Sequence, residues 1–141
     1  MLNLLNRLLR SRLFYVLATG TLTYIFWWSG ITKLLDWPGA VAEMQHFGLN
    51  PPAFFAALTV GVQLVGSLLI VAAGRWAWLG AGALATFTLA TIPMAHRFWE
   101  MDGMVAMLEK ALVQDHISVV GGLAAAAALA HFRAQARPAA A

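Results

Sequence analysis

Leu13 to Thr32 reads LFYVLATGTLTYIFWWSGIT, a run of 20 residues without a charge, bounded by Arg12 and Lys33. A helix of that length rises about 30 Å, the thickness of a bilayer's hydrocarbon core. The fold is therefore read outward from a membrane-spanning helix over about residues 13–34. Three further runs repeat the pattern. Glu43 and Arg75 bracket an uncharged stretch broken by Gly48-Leu49-Asn50-Pro51-Pro52, which leaves a second span over residues 53–74, opened by proline. Residues 76–96 make a third span, with Pro93 expected to kink or fray it near its outer end. Residues 116–132 make a fourth, in which Gly122, Ala126 and Ala130 recur every four residues as a small-residue stripe for close helix approach.

Composition agrees. Of 141 residues, 61% are hydrophobic and 11% charged, whereas a soluble domain carries about a quarter charged residues. The expected fold is all-α, a four-transmembrane-helix bundle forming a single integral membrane domain over residues 1–141. The absence of cysteine removes disulfides, thiolate metal sites and cysteine nucleophiles. Arg7, Arg10 and Arg12 resemble the basic region of a signal peptide, but no A-x-A-like cleavage site follows, so the first span is read as retained. Residues 2–11 set Leu2, Leu5 and Leu9 against Asn3, Asn6 and Arg10, a segment expected along the cytoplasmic surface.

Orientation follows from the basic residues. With four spans, Arg7, Arg10, Arg12, Arg75, Arg133 and Arg137 share one side, and Lys33, Arg97 and Lys110 the other. The positive-inside rule puts the first set, and both chain ends, in the cytoplasm. Asp36, Glu43, Glu100, Asp102, Glu109 and Asp115 then all fall outside. The two outer connections, residues 33–52 and 97–115, are long and the inner one near Arg75 is short, which places function outside. In the first, Asp36 can cap a short interfacial helix with Pro38 in its first turn. Glu43 and His46 would share one face, Val41 and Met44 another, and Gly48 would end it.

At this point the chain resembles the DoxX family of small four-helix bacterial membrane proteins. Gly30-Ile31-Thr32-Lys33-Leu34 looks like its GxxKL signature. Phe47-Gly48-Leu49 before prolines, Gln63-Leu64-Val65-Gly66-Ser67-Leu68-Leu69 with Gly74, His96-Arg97-Phe98-Trp99, and Val120-Gly121-Gly122-Leu123 follow in family order, covering roughly residues 15–130. Two positions depart from the pattern. The family often has an acidic residue near position 63 and a Lys-Asn pair before the fourth span, where this chain has Gln63 and Asp115-His116. The resemblance implies association with membrane redox systems, including a thiosulfate:quinone oxidoreductase and oxidative-stress defence.

Few groups can carry chemistry. Lys33 lies one turn from Ser29 and close to Asp36, so it is read either as a snorkelling anchor or as half of a Lys33–Asp36 pair. Gln63, about 15 Å into its span, needs a partner there, either a threonine such as Thr86 or Thr91, or a ligand. His46, His96 and His116 fall on the outer side but lack the spacing of a metal site, and no metal is expected. They are read as solvated or as proton-exchanging groups. Asp115 with His116 reads as a helix start favoured by the N-terminal dipole, and the six tryptophans as an interfacial belt.

Lys33, His46, Gln63, His96 and His116 are the candidate ligand-binding residues, around a small outward-opening cavity with threonines at its bottom. No catalytic residue can be named. Two functions follow: service to a membrane redox system, either by binding a quinone-like molecule in that cavity, the one cofactor the resemblance implies, or by supporting a catalytic partner that does; or a non-catalytic scaffold binding a partner protein. The partners are then the lipid bilayer together with a redox protein or a second copy of the chain. A transporter fits poorly, because the spans hold almost no ionisable group and no inverted repeat. No phosphate loop, catalytic triad or basic nucleic-acid face is present.

Overall fold

The computed structural model describes residues 2–72 and 74–136. Ala73 in the expected second span, and Arg137 and Ala141 in the expected cytoplasmic tail, lie outside the described residues. The described chain is helical: α1 (Leu2–Arg10), α2 (Arg12–Leu22), α3 (Tyr24–Leu35), α4 (Trp37–His46), α5 (Pro52–Val71), α6 (Ala77–Ala95), a 3-10 turn at Phe98–Glu100, and α7 (Gly103–Gln135). Three helical stretches, Pro52–Val71, Ala77–Glu100 and Gly103–Gln135, are long and apolar enough to cross a membrane.

The run from Leu13 to Thr32 is not one continuous helix but two, α2 and α3, meeting at Thr23. Thr19 and Thr23 donate their hydroxyls to carbonyls one turn back, Tyr15 O at 2.7 Å and Thr19 O at 2.8 Å, a bonding pattern that bends helices. The carbonyl of Gly20 accepts from the Trp27 indole at 3.0 Å. Continuity survives in part. Thr23 N–H still reaches Thr19 O, and Trp27 N–H still reaches Thr23 O.

α5 packs against α2, α3, α4, α6 and α7, and α7 returns along α6 to touch α2. Phe26, Ile70, Ala81, Leu84, Leu123 and Ala126 form the central core. At one end Tyr15, Ala77 and Ala130 meet, and the Tyr15 hydroxyl donates to Ile70 O at 2.8 Å. Glycine sets the closest approach: a Cβ on Gly80 would lie 2.5 Å from Gly66 O, so α5 and α6 touch backbone to backbone. The stripe on α7 is used similarly, with Gly122 against Leu22 and with Ala126 and Ala130 buried.

α4 is capped by Asp36, whose carboxylate accepts from Gly39 N–H at 3.1 Å, and the chain leaves it through Gly48 at φ +72. Met44 and Ala40 bury against Ala56 of α5, while Glu43 and His46 are exposed. The second outer connection is shorter than expected. α7 starts at Gly103, not His116, because no glycine or proline interrupts residues 104–120 and the charges Glu109, Lys110 and Asp115 are tolerated along its length. Asp102, rather than Asp115, stands at the helix start, and Asp115 is an exposed residue within α7. Pro93 lies inside α6, which ends at Ala95.

Candidate functional site

Two polar groups form at the end of the bundle where α4 crosses over α5. The first begins with the close packing of α3 on α5. Gly30 has no side chain, and a Cβ there would sit 2.7 Å from Leu64 Cδ2 and 3.5 Å from Gln63 Cβ. Its neighbour Ser29 is thereby within reach of Gln63. The Gln63 amide Nε2 donates to Ser29 Oγ at 3.2 Å, and Lys33 Nζ lies 3.4 Å from the same oxygen. Lys33 also pairs with Glu43 Oε2 at 2.7 Å. A polar chain therefore runs from Glu43 on α4 through Lys33 and Ser29 on α3 to Gln63 on α5.

Both expected partners are replaced. Asp36 does not hold Lys33, because its carboxylate is engaged at the α4 cap and α4 swings Glu43 over the lysine instead. Gln63 does not meet Thr86 or Thr91: Thr86 is exposed, and the Thr91 hydroxyl donates to Thr88 O at 2.7 Å.

Gln63 is the most constrained member. It is 5% exposed, and its Oε1 has no hydrogen-bond partner among the described residues. An orphaned buried acceptor costs about 1–3 kcal/mol. Ser67, one turn on, is also buried and donates to Gln63 O at 2.6 Å.

The second group lies between α6 and α7. His96 Nδ1 is 2.7 Å from Glu109 Oε2, and the His96 and His116 rings meet edge to face at 4.7 Å. His116 Nδ1 faces Leu112 O at 2.7 Å. The two groups are not joined by a hydrogen bond or an ion pair among the described residues. His46 joins neither; it is exposed and rests against Phe47. The structure thus brings Lys33 to Gln63 and His96 to His116, with Ser29, Glu43 and Glu109 completing the contacts. Ser29 was legible as the residue one turn before Lys33. Glu109 was not, because its segment was read as a loop. No cluster of three metal-ligating side chains occurs among the described residues.

A groove of about 510 Å³ opens between α2, α3 and α5 at the Thr23 break, lined by Gly20, Thr21, Tyr24, Trp27, Leu64 and Ser67, among others. None of the five candidate residues lines it, although Leu64 and Ser67 adjoin Gln63 along α5. The buried threonines Thr19, Thr23 and Thr88 each donate to a carbonyl of the preceding turn.

No curated protein and no solved structure matches the chain. The family model for DoxX matches residues 20–97, more than half of the 141-residue chain, from the last turn of α2 past the end of α6. With that match and its long apolar helices, the chain is a multi-pass membrane protein that belongs to the DoxX family.

Proposed function

We propose that this protein binds a quinone-like, lipid-soluble molecule at the polar chain from Lys33 to Gln63 and so serves a membrane redox system. The observation that carries the reading is the unpartnered Gln63 Oε1, buried beside Ser29 and one step from a lysine. A redox-active ring presents an acceptor carbonyl when oxidised and a donor hydroxyl when reduced. Lys33, with three donors and one ion-pair partner among the described residues, can donate to the first. Gln63 Oε1 can accept from the second. His96 and His116 place two imidazole rings in mutual contact at the same end of the bundle, the first of them against the Glu109 carboxylate. His46 is the weakest member of the proposed site.

Under this reading α2 and α3 together make the first of four spans, both chain ends lie in the cytoplasm, and the membrane is the bacterial inner membrane. The scaffold reading draws on a different feature, the exposed Met104, Val105, Met107 and Leu108 on the first turns of α7, which could meet a partner protein or a second copy. Mass spectrometry of the purified protein separates the two. The first reading requires a small redox-active lipid that is retained by the native chain and lost from Lys33→Met and Gln63→Leu. Retention of the same molecules by all three overturns it, and a co-purifying protein without such a lipid favours the scaffold.

A further inference from the structure

α1 carries five leucines and four polar residues, and the two sets do not mix. At about 100° per residue, Leu2, Leu4, Leu5, Leu8 and Leu9 fall within an arc of about 160°, and Asn3, Asn6, Arg7 and Arg10 occupy the opposite side. No residue of α1 is buried, and the leucines are 48–75% exposed. A contiguous apolar face of this kind marks a contact with membrane or protein.

The helix is held where a membrane surface would lie. Ser11 separates it from α2, accepting from Phe14 N–H through Oγ at 3.1 Å. Arg133, near the end of α7, donates from Nη2 to Arg10 O at 3.2 Å and Ser11 O at 3.4 Å, and its guanidinium lies 5.1 Å from the centre of the Tyr15 ring. Tyr15 packs with Ala77, two residues past Arg75, so Arg7, Arg10, Arg12, Arg75 and Arg133 share one end of the bundle. None of the five forms an ion pair among the described residues; the three pairs, Lys33–Glu43, His96–Glu109 and Arg97–Glu100, belong to the other end. The acidic residues gather there too. Asp36 and Glu43 flank or lie on α4, Glu100, Asp102 and Glu109 surround the turn from α6 to α7, and Asp115 adjoins His116.

We propose that α1 lies flat in the leaflet surface, its leucines in the acyl layer, and that Arg7, Arg10, Arg12, Arg75 and Arg133 together form a site for anionic phospholipid headgroups. The strict segregation of faces fits a planar boundary between apolar and polar media. The uncompensated guanidinium groups fit phosphate, which they bind through paired donors. A second copy of the chain fits poorly, because a symmetric contact through this end would set arginines against arginines. The inference is independent of the proposed redox ligand, which concerns the opposite end.

The native chain has no cysteine, so single labels are clean. The full-length protein carrying Leu5→Cys or Asn6→Cys, labelled with a polarity-sensitive fluorophore, is placed in vesicles of phosphatidylcholine alone or mixed with phosphatidylglycerol. The Leu5 label is expected in an apolar environment, more strongly in the anionic vesicles, and the Asn6 label in water. In native mass spectrometry, each of Arg7→Gln and Arg10→Gln is expected to lower the retention of phosphatidylglycerol over phosphatidylcholine about fivefold. A Leu5 label as wet as the Asn6 label overturns the proposal, as does an unchanged lipid preference in the double variant. A Leu5 signal that disappears when the protein is diluted among vesicles overturns it in favour of a second copy.

Discussion

Lys33 and Glu43 meet at 2.7 Å across the corner between α3 and α4, with Asp36 at the corner itself turned away to cap α4. The lysine side chain is 15% exposed and the glutamate 42%, so the pair is only partly screened by solvent. The contact ties the angle of α4 to the chain of hydrogen bonds that ends at Gln63.

Glu43→Gln is expected to lower stability in detergent by about 1 kcal/mol, the upper end for a partly exposed pair. Asp36→Asn should be nearly neutral, since asparagine caps a helix about as well as aspartate. A melting loss for Asp36→Asn with none for Glu43→Gln would show that Asp36, not Glu43, holds the lysine.

Ser29→Ala and Gln63→Leu should differ in sign or size. Removing Ser29 Oγ leaves the Gln63 amide with both ends unpaired, which costs about 1–3 kcal/mol. Replacing Gln63 with leucine removes an acceptor that was already orphaned, so the ligand-free protein should lose less, or even gain. The double variant should recover most of the Ser29→Ala loss, because residues sharing one contact are not additive. Strict additivity of the melting shifts would disprove the contact.

Gly80 and Gly82 offer a matched pair in α6. A Cβ at Gly80 meets Gly66 O and Leu69 Cβ within 3 Å, whereas one at Gly82 meets nothing within 4 Å. Gly80→Ala should therefore destabilise by about 1–3 kcal/mol through forced separation of α5 and α6. Gly82→Ala should be neutral or gain up to about 1 kcal/mol from helix propensity. Thermal melting of both variants in the same detergent decides it.

Reporter fusions placed after Arg75 and at Ala141 should both report cytoplasm, and a cysteine label at Lys110 should react with an impermeant reagent from outside. This follows from the excess of basic residues on one side, Arg7, Arg10, Arg12, Arg75, Arg133 and Arg137 against Lys33, Arg97 and Lys110. A periplasmic signal from either fusion would sink the orientation.

The helical class and the uncharged stretches were legible because lipid imposes a pattern that survives in single residues, long runs without charge bounded by arginine or lysine, whereas the DoxX family was legible only through short motifs such as Gly30-Ile31-Thr32-Lys33-Leu34. The Asp36 cap and the Gly48 exit were legible for a similar reason, since each depends on neighbours within one turn. The break at Thr23 was not. Threonines are common in spans, and whether their hydroxyls bend a helix depends on what packs against it. The start of α7 was misplaced because charges at Glu109, Lys110 and Asp115 resemble a loop when the helix face they occupy is unknown.

For the candidate site the division is sharper. The sequence by itself determined which residues are chemically available, Lys33, Gln63 and the histidines, because polar groups are conspicuous in an apolar chain, and it placed Lys33 one helical turn from Ser29. Only the tertiary structure decided the pairings: Glu43 over Asp36 for the lysine, Ser29 over a threonine for Gln63, Glu109 and His116 for His96, and for His46 the Phe47 ring with no polar partner among the described residues. Those choices rest on the rotation of each helix about its axis and on the close approach that Gly30 permits between α3 and α5. Both are set by packing against other segments, and local periodicity does not encode them.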